Sequence, residues 1–458
     1  MKKDFSRREF IKRNSIAGAG VLAMGATPSL FAGHIQDIKT PAILGGQAVR
    51  SEGWPGWPVW NAGTDEKRIL EVLRSGNWSR SRTVSEFEEK WANTIGAKRC
   101  LTTVNGTNAL ICAIANLDIG GGDEVIVSPY TWISTVQAIL QNGAMPVFAD
   151  IDPETFQIDP VKIEQKITSR TRAILPVHIL GLPADMVRIM EIANKHDLVV
   201  VEDACQAWMA EINHKKVGTF GNAGCFSFQN SKNIPMGEGG AIVSDDEGFM
   251  DSCYSYHRMG TEYGSVTDDS DSGRWIRTGT KMQLTEYQAA IGLAQLERLE
   301  EQTRTRSDNA EYLKSQIKDI PGITPYKLYD NVTRAAFHLF PFRYHKEQFD
   351  GLSRSGFLRA MRAEGVSGSG GYTLLHTQPF IRHAFNSKNF QLMYPKHLLD
   401  IDQYLERNQC PETERICNEE AVWFSQSMLL GNRADMDDIA GAIGKIQKNA
   451  GKIKDHLS

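Results

Sequence analysis

The chain has no run of basic residues, no Cys-x-x-Cys pair, no internal repeat and no low-complexity stretch. Each absence removes a class of protein. The formal net charge is −4, and the +4 carried by residues 1–32 leaves −8 for the body. An acidic body without a basic run argues against nucleic acid as a partner. The seven cysteines (Cys100, Cys112, Cys205, Cys225, Cys253, Cys410, Cys417) are odd in number and lack ligand spacing. They give neither a zinc site nor a complete disulfide framework, so no metal is expected, and several read as small buried hydrophobes. What is present is ordinary for a globular protein: 41% apolar and 23% charged residues over 458 positions. That length exceeds one compact core and predicts a large domain with a smaller one.

The amino terminus reads as an address. Ser6-Arg7-Arg8-Glu9-Phe10-Ile11-Lys12 precedes a Gly/Ala-rich, weakly apolar run from Ser15 to Ala32. This resembles a bacterial twin-arginine export signal, the alternative being a chance basic amphipathic start. The resemblance implies a periplasmic protein exported already folded, with cleavage near Ala32 or the signal retained. No stable membrane span is expected once the signal is removed. The resulting division is a signal over 1–32, an extended arm over 33–62, a large domain over 63–310 and a small C-terminal domain over 311–458. The arm is rich in Gly, Pro and Trp (Trp54, Trp57, Trp60), which suits packing of aromatic rings without regular structure.

Beyond the arm, a helix fits Thr64–Ser75, ended by Gly76. Ser85-Glu86-Phe87-Glu88 reads as a capping box opening a second helix that Gly96 stops. Strand-like runs then recur at residues 99–104, 124–128, 146–149, 173–177, 198–202 and 224–228, separated by helix-like stretches such as 185–196. This alternation predicts an α/β fold, a three-layer αβα domain with a mainly parallel sheet, whose ligands bind beyond the carboxyl ends of the strands. Thr285–Arg306 reads as a long amphipathic helix leading out of that domain, and a smaller α+β unit follows from about Pro321. The polar tail after Ala450 is expected to fray.

The strand ends carry the chemistry. Asn105-Gly106-Thr107 opens a helix where backbone N–H groups, a residue without a side chain and a hydroxyl can hold an anion; an ordinary N-cap is the alternative. Trp132 after the second strand is either a stacking face for a flat heteroaromatic ligand or a core or interface residue. Glu202-Asp203-Ala204-Cys205-Gln206 closes an apolar strand, where a carboxylate needs a cationic or hydrogen-bonding partner. Lys232 lies on the segment between two β-rich runs, Ala223–Phe228 and Ala241–Ser244, beside the cluster Gly237-Glu238-Gly239-Gly240. It is either a surface cation on a hairpin or an amine made reactive by burial. An Asp for a pyridinium nitrogen and a Lys for covalent attachment are the fixed parts of a pyridoxal phosphate (PLP) site, and Ser227 could bond its phosphate.

Eight motifs now fall in order: GTxAL, GDEVIV-x-P-x-T-W, D-x-DPET-x-x-IDP, RTRAI-x-PVH-x-x-G, PADM, EDA-x-QA, FSF-x-x-x-K-x-x-x-x-GEGG and TE-x-QAAIGLAQLERL. Across roughly residues 40–445 the chain resembles the DegT/StrS family of PLP-dependent sugar aminotransferases. The resemblance implies PLP-transferase fold type I and PLP as cofactor. Lys232 would bond the cofactor and shuttle the proton, and Asp203 would pair with the ring nitrogen. Trp132 would stack on the ring and Gln206 would reach its 3-oxygen, with Gly106, Thr107 and Ser227 at the phosphate. It also implies a homodimer, glutamate or glutamine as amino donor, and a keto sugar or keto-cyclitol as acceptor. Two departures stand out: Gln229 where many members have His, and Lys281-Met282-Gln283 where many have Asn-x-Arg. Other readings are a PLP-dependent lyase or epimerase, and a non-catalytic exported protein that binds a sugar or a partner. His178 either borders the site or is structural. The loop Gly260–Gly273, beside Tyr256, His257 and Arg258, either closes over substrate or is a solvated loop.

Overall fold

The apolar runs form the strands expected of them. A computed structural model describes residues 39–267 and 274–458, so the segment expected to be an export signal and residues 268–273, the last part of the Gly260–Gly273 loop, lie outside the described residues. Seven strands build the main sheet: β1 (Arg99–Thr103), β2 (Glu124–Val127), β3 (Met145–Phe148), β4 (Thr171–Leu175), β5 (Val199–Asp203), β6 (Ala223–Ser227) and β7 (Gly240–Ser244). Their order is β1-β7-β6-β5-β4-β2-β3, and β7 alone runs against the others.

Because side chains alternate across a strand, each strand feeds two cores. Val125, Val127, Leu175, Val201 and Cys225 face one layer, with α3 (Gly106–Asn116), α4 (Ile133–Gln141) and α6 (Glu247–His257). Ile126, Ile174, Val200 and Phe226 face the other, with α2 (Arg82–Ile95), α5 (Met186–His196) and α7 (Glu286–Ile317), and α1 (Lys67–Ser75) packs on α7. Trp91 of α2, fully buried, meets Phe226 and Phe228 edge-on at 5.2 and 5.3 Å.

Three helix expectations are corrected by contacts distant in sequence. α2 begins at Arg82, ahead of the Ser85–Glu88 box, because the Glu286 carboxylate accepts the N–H groups of Ser81, Thr83 and Val84 at 2.8–2.9 Å and caps the helix from α7. Burial opposes ionisation of Glu286, but these donors outweigh it and hold its carboxyl below the usual range. Glu88 is instead paired with Arg80. α7 continues to Ile317 rather than stopping at Arg306, since Ala310, Leu313 and Ile317 join the core that holds Val125 and Leu175. The tail does not fray: Ala450–Leu457 is a helix with Ile453 fully buried, docked through Gly451 and Lys454 onto Asp350.

A second, antiparallel sheet carries β8 (Ile323–Pro325), β9 (Leu339–Tyr344) and β10 (Ala421–Ser425) in that order. Helix α8 (Arg354–Ala363) packs on it through Phe357 against Phe342 and Tyr344, and α9 (Arg433–Lys448) packs against α7 and α8. The described part of the arm, residues 39–62, is irregular apart from a 3-10 turn at Ala42–Leu44 and the helical turn that opens at Ala62, and is tied down by side chains. Glu364, fully buried, accepts from the Ala42 and Val49 N–H groups and from Lys445 Nζ. Arg50 bridges Asp435 and Asp438 and lies 4.1 Å from the Trp54 ring centre. Among the described residues no helix is long and apolar enough to cross a membrane.

Candidate active site

Four strands end at one cavity of about 560 Å³. It lies beyond the carboxyl ends of β1, β2, β5 and β6, where an open parallel sheet places its ligands. Gly106, Thr107, Trp132, Asp203, Gln206, Ser227 and Lys232 all line it, so the fold brings together every residue expected of the site.

The anion cradle is built by close packing. Asn105 caps α3, its side chain accepting from the Asn108 N–H at 2.9 Å, so capping and cradle coexist. The N–H groups of Gly106 and Thr107, in the first turn, have no helical acceptor. A Cβ on Gly106 would lie 2.8 Å from both Ser227 Cβ and Cys205 Sγ, so only glycine allows the helix start this near β6. Thr107 Oγ1 donates to Ser134 Oγ at 2.9 Å, and Ser227, mostly buried, faces the same space.

The adjacent acids at the end of β5 point to opposite faces. Asp203 faces the cavity: its Oδ2 accepts from Thr135 Oγ1 at 2.8 Å and its Oδ1 from the Cys205 N–H at 3.1 Å. Glu202 faces away and is fully buried. It accepts N–H bonds from Gly218 (2.7 Å), Phe220 (2.6 Å) and Gly221 (2.8 Å), and from His178 Nε2 at 3.0 Å. The Ala184 N–H donates to His178 Nδ1, so the proton of the neutral ring sits on Nε2. Of the two readings of His178, the structural one is what the geometry shows.

Lys232 does sit in a hairpin, since β6 and β7 pair antiparallel from Gly224–Val243 to Ser227–Gly240. The loop between them is closed by the Asn230 N–H to the Gly237 carbonyl at 2.9 Å and the Met236 N–H to the Phe228 carbonyl at 2.8 Å, and the amine is 5.9 Å from the ring centre of buried Trp208. Burial pushes the Lys232 ammonium below its ordinary range, opposed by the nearby Cys205 and Asp203. Gln229 shapes this loop: its carbonyl accepts the Lys232 N–H at 2.8 Å and its Oε1 accepts from the Ser231 N–H and hydroxyl. Lys281, the other departure, is exposed and pairs with Arg258 in an isolated bridge.

Trp132 lines the rim with 60% of its surface exposed, so it is not a core residue in this chain. Gln206 is already engaged: Oε1 accepts the Leu180 N–H at 2.8 Å and Nε2 donates to Tyr372 Oη at 2.9 Å. Its reach to a ring oxygen is therefore set jointly with Tyr372.

Several lining residues carried no local signal. Thr135, which holds Asp203, is one helical turn after Thr131, and only that spacing hinted at a shared face. His338, Tyr372 and Trp423 come from the C-terminal part and arrive through tertiary folding alone. The donor set suits a phosphorylated pyridine: an anion cradle, an acid for a ring N–H, an aromatic face and an amine.

Comparison with known proteins agrees with this geometry. The DegT/DnrJ/EryC1/StrS aminotransferase family profile matches residues 61–400. The chain is 33% identical to the L-glutamine:2-deoxy-scyllo-inosose aminotransferase of Streptomyces kanamyceticus, over 88% of this chain and 96% of that protein. It is 35% identical to spore coat polysaccharide biosynthesis protein SpsC of Bacillus subtilis, over 74% of this chain and 89% of that one. Among solved structures it resembles 3-amino-5-hydroxybenzoic acid synthase, with TM-score 0.75 and 28% identity over 87% of this chain and 99% of that chain.

Proposed function

The chain belongs to the DegT/DnrJ/EryC1/StrS aminotransferase family, and from that premise we propose that it moves the amino group of glutamine or glutamate to a keto sugar or keto-cyclitol, using PLP held in the cavity. The observation that carries this reading is the convergence of Lys232, Asp203 and the Gly106 cradle on one cavity. PLP, when bound, supplies the electron sink that lets an amino acid give up its α-proton.

The remaining work falls to this chain's own groups. The first-turn N–H groups of Gly106 and Thr107, with Ser227, would hold the phosphate. Asp203, braced by Thr135 Oγ1 and the Cys205 N–H, offers a fixed acceptor to a ring N–H. Trp132 would cover one ring face and Gln206, with Tyr372, would take the ring hydroxyl. Lys232 Nζ is the mobile base: with its ammonium destabilised by burial, it can accept a proton and return it within one enclosure. The two half-reactions would use the same amine in both directions.

The assembly would be a homodimer. An exposed apolar patch of Leu73, Trp78 and Tyr287 supports it, lying close to the cavity through the Trp78 carbonyl, which accepts the Glu286 N–H, and the Gln288–Glu238 bond. The Arg7-Arg8 signal supports export to the periplasm, by a route that suits a protein folded around its cofactor. The test is spectroscopic. Purified protein should show the visible band of bound PLP, lost in Lys232→Ala, and glutamine or glutamate should bleach it. A protein that stays colourless with added PLP would sink the cofactor assignment; a band unmoved by any amino donor would sink the transamination.

A further inference from the structure

Arg306 of α7 is fully buried, yet only its Nε–H is bonded, donating to Gln426 Oε1 at 2.8 Å. Among the described residues neither Nη1 nor Nη2 has an acceptor. Burial pushes its pKa down to about 9, the mark of a desolvated cation without compensation.

The surroundings tie this guanidinium to the cavity. Gln426 follows β10 directly and His338 precedes β9 directly; these strands pair Leu339 with Ser425, and His338, Leu339 and Trp423 line the cavity. Burial first, then the charges of Lys232 and Arg306 together, hold the His338 imidazole well below its ordinary range. On another side the Trp57 ring covers Arg306, with its centre 5.1 Å from Cζ. The Trp57 indole N–H donates to the Asn230 carbonyl at 3.1 Å, two residues before Lys232.

An α-amino acid donor carries its carboxylate one bond from the carbon that loses a proton. A site working at Lys232 therefore needs a second cation close by. Among the described residues lining the cavity, Lys232 is the only Lys or Arg, and His338 is kept neutral. A planar fork with both terminal amino groups free matches a carboxylate in bidentate fashion.

We propose that Arg306 binds the α-carboxylate of the amino donor through Nη1 and Nη2, and that Trp57 swings aside as the carboxylate enters. The proposal rests on the aminotransferase reading above. Trp57, on the arm, thereby links donor entry to the Lys232 loop through its bond to Asn230.

The test uses the PLP-loaded full chain and has two readouts. In Arg306→Gln the KM for the donor should rise about tenfold or more, as loss of a bidentate charged contact implies, while the KM for the keto acceptor stays within about twofold. Independently of turnover, α-methyl-L-glutamine and α-methyl-L-glutamate, which keep the carboxylate but have no α-proton, are titrated by calorimetry and by tryptophan fluorescence. At least one should bind wild type, bind Arg306→Gln about tenfold more weakly, and cause a fluorescence change that Trp57→Phe abolishes. Equal binding to both proteins, no binding to wild type, or an equal rise in donor and acceptor KM overturns the proposal. If Arg306→Gln does not fold, Arg306→Lys carries the same comparison: a severalfold loss is expected, and unchanged binding refutes. Should wild type bind the probe through Arg306 yet transfer no amino group from any donor, the aminotransferase reading fails and the carboxylate site stands.

Discussion

Glu202 and Asp203 are chemically alike and adjacent, yet the structure gives them separable tasks, and a pair of amide substitutions should pull those tasks apart. Glu202→Gln replaces a buried carboxylate that accepts four bonds, at 2.6 to 3.0 Å. An amide presents one oxygen and one NH2. In one orientation the NH2 faces the Gly218 N–H and His178 Nε2–H; in the other it faces the N–H groups of Phe220 and Gly221. His178 cannot relieve the first by changing tautomer, because its Nδ1 already accepts from Ala184. Either way two buried donors lose their acceptor, at about 1–3 kcal/mol each, so about 2–6 kcal/mol in all. Against a typical total of about 5–15 kcal/mol this is a large share. Asp203→Asn behaves differently. Its oxygen can still accept the Cys205 N–H, and its NH2 can donate to Thr135 Oγ1, since a hydroxyl can turn from donor to acceptor. The fold should therefore tolerate Asp203→Asn within about 1 kcal/mol, while affinity for PLP falls. Equilibrium urea unfolding of the cofactor-free proteins measures the first effect and PLP titration the second. Glu202→Gln lying within about 0.5 kcal/mol of wild type, or both variants moving the same observable equally, would refute the assignment of faces.

Gly106→Ala places a Cβ 2.8 Å from Ser227 Cβ and Cys205 Sγ. An overpacking cost of about 1–3 kcal/mol is expected, with weaker PLP binding, and unchanged phosphate-dependent affinity would count against the cradle. Lys232 has a depressed folded pKa, so the folded state binds fewer protons than the unfolded one between its lowered value and 10.5; stability then rises with pH through that window. Cofactor-free Lys232→Met should accordingly be the more stable protein at pH 7, with the gap closing as pH approaches 10.5. His257 is fully buried, its Nδ1–H donating to the Tyr254 carbonyl and its Nε2 without a hydrogen-bond partner among the described residues, and burial pulls its pKa down to about 4. The unfolded state gains the proton first, so stability should be lost as pH falls from about 6.5 towards 4, less so in His257→Phe, as urea midpoints across that range would show.

How much of this was legible in the chain itself can be judged from particular elements. The parallel strands were readable because both faces of each are buried, leaving short continuous apolar runs bounded by polar and turn residues. Asp203, Gly106, Ser227 and Lys232 were readable because a doubly wound sheet forces chemistry onto strand ends, and strand ends can be found from local pattern. The start of α2 was not readable. Ser85–Glu88 is a sound local cap, but it competes with a carboxylate some two hundred positions away, and Glu286 bonds three N–H groups where the box would bond two.

The sequence by itself determined the sheet, the position of each loop at its carboxyl edge and the residue types available there. Tertiary structure alone decided which way those residues face. Alternation along β5 sends Asp203 into the cavity and Glu202 away from it, and a one-residue shift in register would exchange them. It also decided what the second half of the chain contributes. His338, Tyr372 and Trp423 sit in segments whose local patterns say only core, and they gain meaning from lining the same cavity as Lys232, while the buried Arg306 lies behind that lining, beside Gln426. The physical reason is that period and propensity act over a few residues, whereas the environment of a charge is set by whatever long-range packing brings within a few ångströms of it.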